Sequence, residues 1–249
     1  MLFAHGYGCD QNMWRLVTPQ FEDKYQVVTY DHVGAGQSDW GAYRKEKYGS
    51  LDGYAADTLE IVSALDLRNV IFVGHSVSSM IGLLAAVQEP ERFAALVMIG
   101  PSPCYINDGD YVGGFDRADI EGLIESLDAN YLGWSRSMAP VIMGNPDRPE
   151  LGNELANSFC QADPEIAKHF ARVTFLSDNR ADVPLLQIPT QILQCSDDVI
   201  APMAVGKYMH RHLPRAELTL LEATGHCPHL SAPQETVAAI QGFLSRLES

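Results

Sequence analysis

The sequence predicts an α/β protein, in which a mostly parallel sheet is flanked by helices and interrupted by one helical insertion. Three observations lead to this fold class. Short β-branched runs alternate with amphipathic segments in the first hundred residues. Helical segments then follow one another without strand runs between residues 102 and about 186, and the strand and helix alternation resumes at residue 190. One α/β unit with an insertion accounts for all three.

The individual elements follow from local patterns, taken in chain order. Before the insertion we expect three buried strands and two helices: strands at 25–30, 70–73 and 96–99, and helices at 53–65 and 80–88. Within the insertion, Asp116 and the Asp163-Pro164 pair are N-cap signals that precede apolar residues at helical spacing. After the insertion the pattern predicts two further strands and a final amphipathic helix, at 190–194, 217–221 and 233–247.

Composition limits the class of partner. The 249 residues are 46% hydrophobic, as in a globular protein, and carry 17 basic against 32 acidic residues, a net charge of −15. This charge would repel nucleic acid and anionic membranes, so neither is an expected partner. The sequence has no long apolar stretch and no basic leader, so we expect a cytoplasmic protein. Its five scattered cysteines predict free thiols.

The strongest chemical signal is the segment GHSVS at residues 74–78, between the predicted strand 70–73 and the predicted helix 80–88. A sharp turn from strand to helix, with small neighbours, lifts a serine hydroxyl above the sheet edge and points a helix N-terminus at a developing anion. The usual pattern for such a nucleophile elbow is G-x-S-x-G, and here Ser78 takes the last position. The strand, turn and helix context predicts Ser76 as a nucleophile.

A serine hydroxyl needs a base to remove its proton, and the base needs a carboxylate to orient it. Downstream of Ser76, a carboxylate pair follows the predicted strand 190–194, and His226 follows the predicted strand 217–221. Asp198 is favoured over Asp197, because it has the D-x-x-x-P spacing expected where this loop enters a helix. Asp197 stays open as the alternative.

Two backbone N–H groups are expected to stabilise the anion that forms during attack. One belongs to Val77, the residue after the nucleophile. The other belongs to Tyr7, in the segment His5-Gly6-Tyr7-Gly8 that follows the apolar residues 2–4. Val77 and Tyr7 are therefore the predicted oxyanion hole.

Two further patterns could indicate a cofactor or a metal ion, but the sequence favours a simpler interpretation of each. Residues 34–36 (GAG) resemble half of a dinucleotide-binding fingerprint, but Asp39 occupies the position of the third glycine, so we expect a turn and no cofactor. His226, Cys227 and His229 could form a metal cluster. Pro228 lies inside this segment and no further ligand is near in sequence, so no metal is expected.

With these residues in hand, the chain resembles the α/β-hydrolase superfamily. Within it the chain is similar to the RsbQ type of bacterial stress-response regulator and, more distantly, to the plant strigolactone and karrikin receptor hydrolases. The matching stretches cover nearly the whole chain: HGYGCDQNMW, YDHVGAGQSD, GHSVSSMIGLLA, VMIGPSPCYIND, QCSDDVIAPMAVGKYMH and GHCPH. The resemblance implies a serine-hydrolase triad of Ser76, Asp198 and His226, with Tyr7 and Val77 as the oxyanion hole.

The resemblance also implies a domain division and a pocket. Residues 1–101 and 186–249 would form the α/β-hydrolase core, and residues 102–185 a lid of four helices over a largely apolar pocket with no metal or organic cofactor. By position, six residues are candidates for its lining: Tyr105, Phe115, Tyr131, Trp134, Met138 and Phe175. The superfamily members that the chain resembles have about 20 residues before the HG strand. Either the start is misassigned, or the sheet lacks its antiparallel edge.

Three functions remain open from the sequence. The first is a serine hydrolase of the carboxylesterase or lactonase type, which acts on a small apolar ester or lactone through an acyl-enzyme. The second is a ligand-responsive regulator whose slow hydrolysis or occupancy signals to a protein partner, by resemblance a PAS-domain phosphatase in stress signalling. The third is a non-hydrolytic use of the fold, such as a lyase or a cofactor-free peroxidase. A serine at the elbow argues against dehalogenase and epoxide hydrolase chemistry.

Overall fold

The computed structural model describes residues 1–247 and contains a six-stranded sheet of order β2-β1-β3-β4-β5-β6. Every pairing between neighbouring strands of this sheet is parallel. The predicted mostly parallel sheet flanked by helices is therefore confirmed. The strands are β1 (Leu2–Ala4), β2 (Val28–Tyr30), β3 (Val70–His75), β4 (Phe93–Ile99), β5 (Thr190–Asp197) and β6 (Ala216–Thr224).

Helices connect the strands, and four of them lie consecutively between β4 and β5. The helices are α1 (Leu51–Ala64), α2 (Val77–Gln88), α3 (Arg117–Ala129), α4 (Tyr131–Met143), α5 (Pro149–Gln161), α6 (Pro164–Phe175), α7 (Met203–His212), α8 (Pro228–Ser231) and α9 (Pro233–Leu247). Helices α3 to α6 fall within the segment expected to form a lid. The division of the chain into core and lid domains stays a prediction. None of the described helices is long and apolar enough to cross a bilayer.

The predicted helix starts in the insertion are present. The Asp116 side chain and Asp119 form a capping box at the start of α3. At the start of α6, the Asp163 carboxylate accepts hydrogen bonds from the N–H groups of Glu165 at 2.9 Å and Ile166 at 3.1 Å. Pro164 stands at the first helical position, where its missing N–H costs nothing. Local side-chain chemistry therefore fixes where these two helices begin.

The core has two apolar layers, one on each face of the sheet. Strand β4 shows the alternation: Leu96 and Met98 face one layer, whereas Val97 and Ile99 face the other. The first layer contains α1, α2 and the insertion, and the second is covered by α9. Because both faces are buried, the central strands are continuous apolar runs. The five cysteines are free thiols, as predicted.

Candidate active site

Ser76 occupies a strained turn between β3 and α2. Its φ of 56° and ψ of −124° lie where few non-glycine residues are found, at a cost of about 1–3 kcal/mol. A Cβ atom at Gly74 would lie 2.6 Å from the carbonyl oxygen of Ser78, so only glycine fits the tight approach of strand and helix. The sequence thus folds locally into the predicted elbow, with the serine at its apex.

Ser78 stands where the usual elbow pattern has glycine, and its hydroxyl is buried but fully bonded. The Oγ atom donates to the carbonyl oxygen of His5 and lies 2.8 Å from Nε2 of His32. Since a carbonyl only accepts, the second bond is donated by His32 to Ser78. Burial holds the pKa of His32 well below its usual value, so the ring is neutral. The extra hydroxyl therefore joins the elbow to the loops after β1 and β2.

Ser76, His226 and Asp198 form a continuous hydrogen-bonded chain. Ser76 Oγ lies 2.8 Å from His226 Nε2, and His226 Nδ1 lies 2.8 Å from Asp198 Oδ2. All three side chains are buried. Since the carboxylate accepts, Nδ1 carries a hydrogen and Nε2 presents a lone pair to the serine hydroxyl. This arrangement can take a proton from Ser76.

The loop after β5 places Asp198, and not its neighbour Asp197, next to His226. The second carboxylate oxygen of Asp198 accepts hydrogen bonds from the N–H groups of Ile200 at 2.8 Å and Ala201 at 3.1 Å. The Asp197 side chain is exposed, and its main-chain carbonyl accepts from the N–H of Gly225 at 2.6 Å. The geometry therefore favours Asp198 as the carboxylate that orients the histidine.

The main chain around His226 is fixed from two sides. Its N–H donates to the carbonyl of Ile142 at the end of α4 at 2.9 Å. Its carbonyl accepts from Nε2 of His75 at 2.7 Å. Gly100 passes so close that a Cβ there would lie 3.1 Å from the imidazole Cε1 of His226. The histidine is thus held by both the sheet and the insertion.

The predicted oxyanion-hole residues follow two neighbouring strands. In the parallel register Ala4 is opposite Gly74, and Tyr7 and Val77 each lie three residues further along. Val77 is the first residue of α2, where a helix leaves its N–H without an intrahelical acceptor. The Tyr7 phenol donates to the carbonyl of Ala167 in α6 at 3.1 Å. Both N–H groups stay predicted donors.

A small apolar cavity of about 30 Å³ lies at Ser76 and His226. Two of the six predicted pocket residues, Tyr105 and Phe175, line it. The other lining residues are Tyr7, Cys9, His75, Ile142, Leu155, Phe159, Thr174, Ile200 and Cys227. Residues next to the sequence motifs therefore contribute to the cavity lining. Cys9 follows the predicted oxyanion loop, and Cys227 follows His226. That sequence proximity is the one signal that could have revealed them.

The other four predicted pocket residues are not among those that line this cavity, although they pack into the same apolar layer, and they stay predictions: Phe115, Tyr131, Trp134 and Met138. Trp134 stacks on Phe159, which lines the cavity, with ring centroids 6.0 Å apart and an interplanar angle of 10°. The Tyr131 phenol donates to the carbonyl of Phe159 at 2.7 Å. Phe115 lies in the loop before α3, where its N–H donates to the carbonyl of Tyr105.

Comparison with known proteins agrees with this geometry. Residues 1–240 match the model of the Alpha/beta hydrolase family. The chain belongs to the α/β hydrolase family. It is similar to a protein named Strigolactone esterase D14 from Arabidopsis thaliana, with 38% identity over 99% of this chain and 92% of that protein. It is also similar to Karrikin insensitive 2 receptor IA from Petunia hybrida, with 35% identity over 98% of this chain and 90% of that protein.

A solved structure gives the same result in three dimensions. A hydrolase from Oleispira antarctica superposes on this α/β hydrolase with a TM-score of 0.95 and 44% identity, covering 98% of this chain and 90% of that one. The predicted superfamily and its relation to the strigolactone and karrikin hydrolases are confirmed. The closer likeness to regulators of the RsbQ type stays a prediction.

The possible metal ligands His226, Cys227 and His229 are not arranged to hold an ion in this α/β hydrolase. Both ring nitrogens of His226 are already bonded, to Ser76 and Asp198. His229 lies behind them with its ring 4.4 Å from that of His75, and burial lowers its pKa to about 3. Within residues 1–247, no three His, Cys, Asp or Glu side chains are grouped to hold a metal ion.

The GAG segment at 34–36 forms the predicted turn. Gly34 and Gly36 have φ of 91° and 49°, and a Cβ at Gly36 would lie 2.4 Å from the carboxylate of Asp31. That carboxylate accepts hydrogen bonds from the N–H groups of Gln11 at 2.7 Å and Gln37 at 2.8 Å. The glycines therefore allow the chain to wrap around Asp31.

Proposed function

We propose that this protein is a serine hydrolase of the carboxylesterase or lactonase type, which acts on a small apolar ester or lactone through an acyl-enzyme. The observation that carries the proposal is the pair of 2.8 Å hydrogen bonds that link Ser76, His226 and Asp198 beside an apolar cavity. Relatives named as esterases support the same reaction class.

The first half of the reaction forms the acyl-enzyme. Ser76 Oγ attacks the carbonyl carbon while its proton moves to His226 Nε2, and Asp198 stabilises the resulting imidazolium. The carbonyl oxygen becomes an oxyanion that accepts hydrogen bonds from the N–H groups of Val77 and Tyr7. When the tetrahedral intermediate collapses, His226 gives the proton to the leaving alcohol oxygen.

The second half releases the acid. Water takes the place of the alcohol, loses a proton to His226 Nε2 and attacks the acyl carbon. The second tetrahedral intermediate expels Ser76 Oγ, which recovers its proton from the histidine. With a lactone, the alcohol and the acid stay joined in one ring-opened product.

The cavity at Ser76 favours substrates with a small, apolar acyl group. Its volume of about 30 Å³ is well below the ~150 Å³ of an apolar cavity that binds benzene, so it suits an acyl group smaller than an aromatic ring. Its walls are chiefly aromatic and aliphatic side chains, and burial keeps the lining His75 neutral by lowering its pKa. An anionic acyl chain would find no cation among the residues that line this cavity.

Replacing Ser76 tests the nucleophile. Ser76→Ala should lower kcat on vinyl acetate by about 10⁶-fold, because Ser76 is the one hydroxyl within residues 1–247 that is hydrogen-bonded to the imidazole of His226. Acid release at constant pH measures the turnover. Ser135→Ala is the matched control, since Ser135 is also buried but its hydroxyl donates to the carbonyl of Tyr131, away from the cavity. Near-native turnover by purified Ser76→Ala would contradict the assignment.

A ligand-responsive regulator is the second candidate, and one contact favours it. The N–H of His226 donates to Ile142 of α4, and the Thr224 hydroxyl donates to the carbonyl of Gly144 at 3.2 Å. These two hydrogen bonds connect the loop that carries His226 to the insertion, so a displacement of the histidine would reach the end of α4 directly. Relatives named as receptors support such a role. By resemblance to regulators of the RsbQ type, we propose a cytoplasmic PAS-domain phosphatase in stress signalling as the partner.

Hydrogen exchange distinguishes the two candidates. We expect a covalent phosphonate on Ser76 to change the exchange of the amides at 142–145 and 224–226, together with helices α3 to α6. Ser76→Ala incubated with the same phosphonate is the control. Unchanged exchange in the insertion, together with rapid turnover of many esters, would leave the metabolic hydrolase alone.

A further inference from the structure

A second and larger cavity lies beside the one at Ser76, and the proposed mechanism does not use it. Its volume is about 260 Å³, against about 30 Å³ for the cavity at the serine. Residues from the loops after β1 and β2 and from helices α5 and α6 line it. Two residues, Tyr7 and Cys9, line both cavities.

The Tyr7 side chain stands between the two spaces. Its ring centroid lies 5.8 Å from that of Phe170, which lines the larger cavity, and 6.2 Å from that of Phe175, which lines the cavity at Ser76. The phenol hydrogen bond to the carbonyl of Ala167 anchors the ring to α6. Only 8% of Tyr7 is exposed, so the ring is enclosed by its neighbours and forms a wall between the two cavities.

We propose that Tyr7 is a specificity-determining residue: its side chain separates the acyl cavity at Ser76 from a binding site for the alcohol portion of the substrate, which is the larger cavity. The inference rests on the proposed function and deepens it. With the ring in place, esters of small alcohols are preferred. Esters of bulky alcohols require the ring to leave its hydrogen bond with Ala167.

The lining of the larger cavity defines the alcohol that fits. Asp10 is the only formally charged residue among those that line it, and no lysine or arginine does. His5 and His32 also line it, and burial lowers the pKa of both rings. Gln37 and Gln161 supply amide groups. Trp40, Tyr54 and Phe170 add aromatic rings to the lining. The site therefore suits an uncharged alcohol with an aromatic body and disfavours an anionic one.

Two esters of the same acid test the proposal. Vinyl acetate and 2-naphthyl acetate form the same acetyl-enzyme, so the ratio of their kcat/KM values reports only on the alcohol portion. Tyr7→Ala should raise the ratio of naphthyl to vinyl ester by more than about tenfold, since it removes the wall. Tyr7→Phe should raise it by about fivefold, the factor associated with one neutral hydrogen bond. Damage to the oxyanion hole would lower both rates together and leave the ratio unchanged.

Matched variants distinguish the effect of removing the Tyr7 ring from a general loosening of the packing around it. Tyr111→Phe removes a phenol of equal exposure, 8%, that also donates to a main-chain carbonyl but lines neither cavity, so it should leave the ratio unchanged. Ala162 lines only the larger cavity, and Ala162→Trp should fill it and cancel the gain of Tyr7→Ala. An unchanged ratio in Tyr7→Ala, or a gain that persists with Trp at position 162, would overturn the proposal.

A binding measurement tests the alcohol site without depending on ester turnover. By equilibrium dialysis, 2-naphthol should bind Tyr7→Ala more tightly than the same protein carrying Ala162→Trp as well. Equal binding would overturn the alcohol site even if esters are hydrolysed. Vinyl acetate turnover that does not depend on Ser76 would instead contradict the proposed function, so the two failures are distinguishable.

Discussion

At the scale of single residues, the buried carboxylate of Asp198 is held in place by hydrogen bonds to both of its oxygens. It accepts three hydrogen bonds, from the N–H groups of Ile200 and Ala201 and from His226 Nδ1. Three donors offset the cost of burying its charge. The same three bonds fix the plane of the carboxylate, and so the direction in which His226 points its other nitrogen.

Asp198→Asn should lower kcat by roughly 10⁴-fold while the fold is kept. The amide can keep its oxygen toward Ile200 and Ala201, but its NH₂ then faces His226 Nδ1. That contact forces the hydrogen onto Nε2, and the ring can no longer accept the proton of Ser76. Steady-state kinetics on vinyl acetate measure the loss.

Asp197→Asn is the matched control for this change. The Asp197 side chain is exposed, and its contact with Gly225 uses the main-chain carbonyl, which the substitution leaves in place. Turnover should stay within about twofold of the original protein, as for surface substitutions in general. If Asp197→Asn lost more activity than Asp198→Asn, the carboxylate of the triad would have to be reassigned.

Sequence reasoning singled out Ser76, Asp198 and His226, which are hydrogen-bonded to one another, but named only part of the cavity lining, and the reason is physical. Ser76, Asp198 and His226 each follow a strand, and parallel strands end at one edge of the sheet, so order along the chain predicts proximity. Pocket residues on α4 to α6 depend on how helices rotate against one another. Helical spacing puts Trp134 on a buried face, but which of the stacked rings of Trp134 and Phe159 lines the cavity depends on how the helices pack.

At the scale of elements, the end of α4 meets the turn after β6 at a contact between two glycines. Gly144 and Gly225 have φ of 63° and 80°. A Cβ at Gly225 would lie 1.8 Å from the carbonyl oxygen of Met143, which is main chain and cannot move aside cheaply. The adjacent residue is His226, whose N–H donates to Ile142. The contact thus joins the insertion to the loop that carries His226.

Gly225→Ala should destabilise the protein by about 3 kcal/mol or more, since it combines left-handed strain with a main-chain clash. Activity should fall with stability because the clash displaces His226. Gly109→Ala is the control: its φ of 56° gives the same strain, but no atom lies within 4 Å of the added Cβ. It should cost only about 1 kcal/mol. Urea unfolding compares the two, and equal losses would show that the contact at Gly225 contributes nothing.

Element boundaries show what local patterns miss. The sequence predicted a strand at 25–30, but β2 covers only Val28–Tyr30, the three residues in parallel register with Leu2–Ala4 of β1. Helix α2 begins at Val77 rather than at residue 80, because the elbow turns directly from strand into helix. In both cases the boundary is set by a neighbouring strand or turn and not by propensity.

At the scale of the whole molecule, buried imidazoles make stability depend on pH. His5, His32, His75 and His229 are all buried, and burial lowers the pKa of each below its ordinary value of 6.5. The folded protein therefore binds fewer protons than the unfolded chain as pH falls below 6.5. Stability is fully present above that pH and decreases as pH falls toward the folded-state pKa values, by up to about 1.4 kcal/mol per pH unit for each residue.

His229 gives the most direct test, because its ring is fully buried, neither ring nitrogen has a hydrogen-bond partner within residues 1–247, and its folded pKa is about 3. His229→Leu removes one titrating group, so the free energy of unfolding should fall less steeply between pH 6.5 and pH 4, by about 1 kcal/mol per pH unit. The slope is compared because packing changes alter stability at every pH alike. His210→Gln, at an exposed site, should leave the slope unchanged. Parallel slopes for His229→Leu and the original protein, from urea unfolding at each pH, would show that this imidazole is not held neutral by burial.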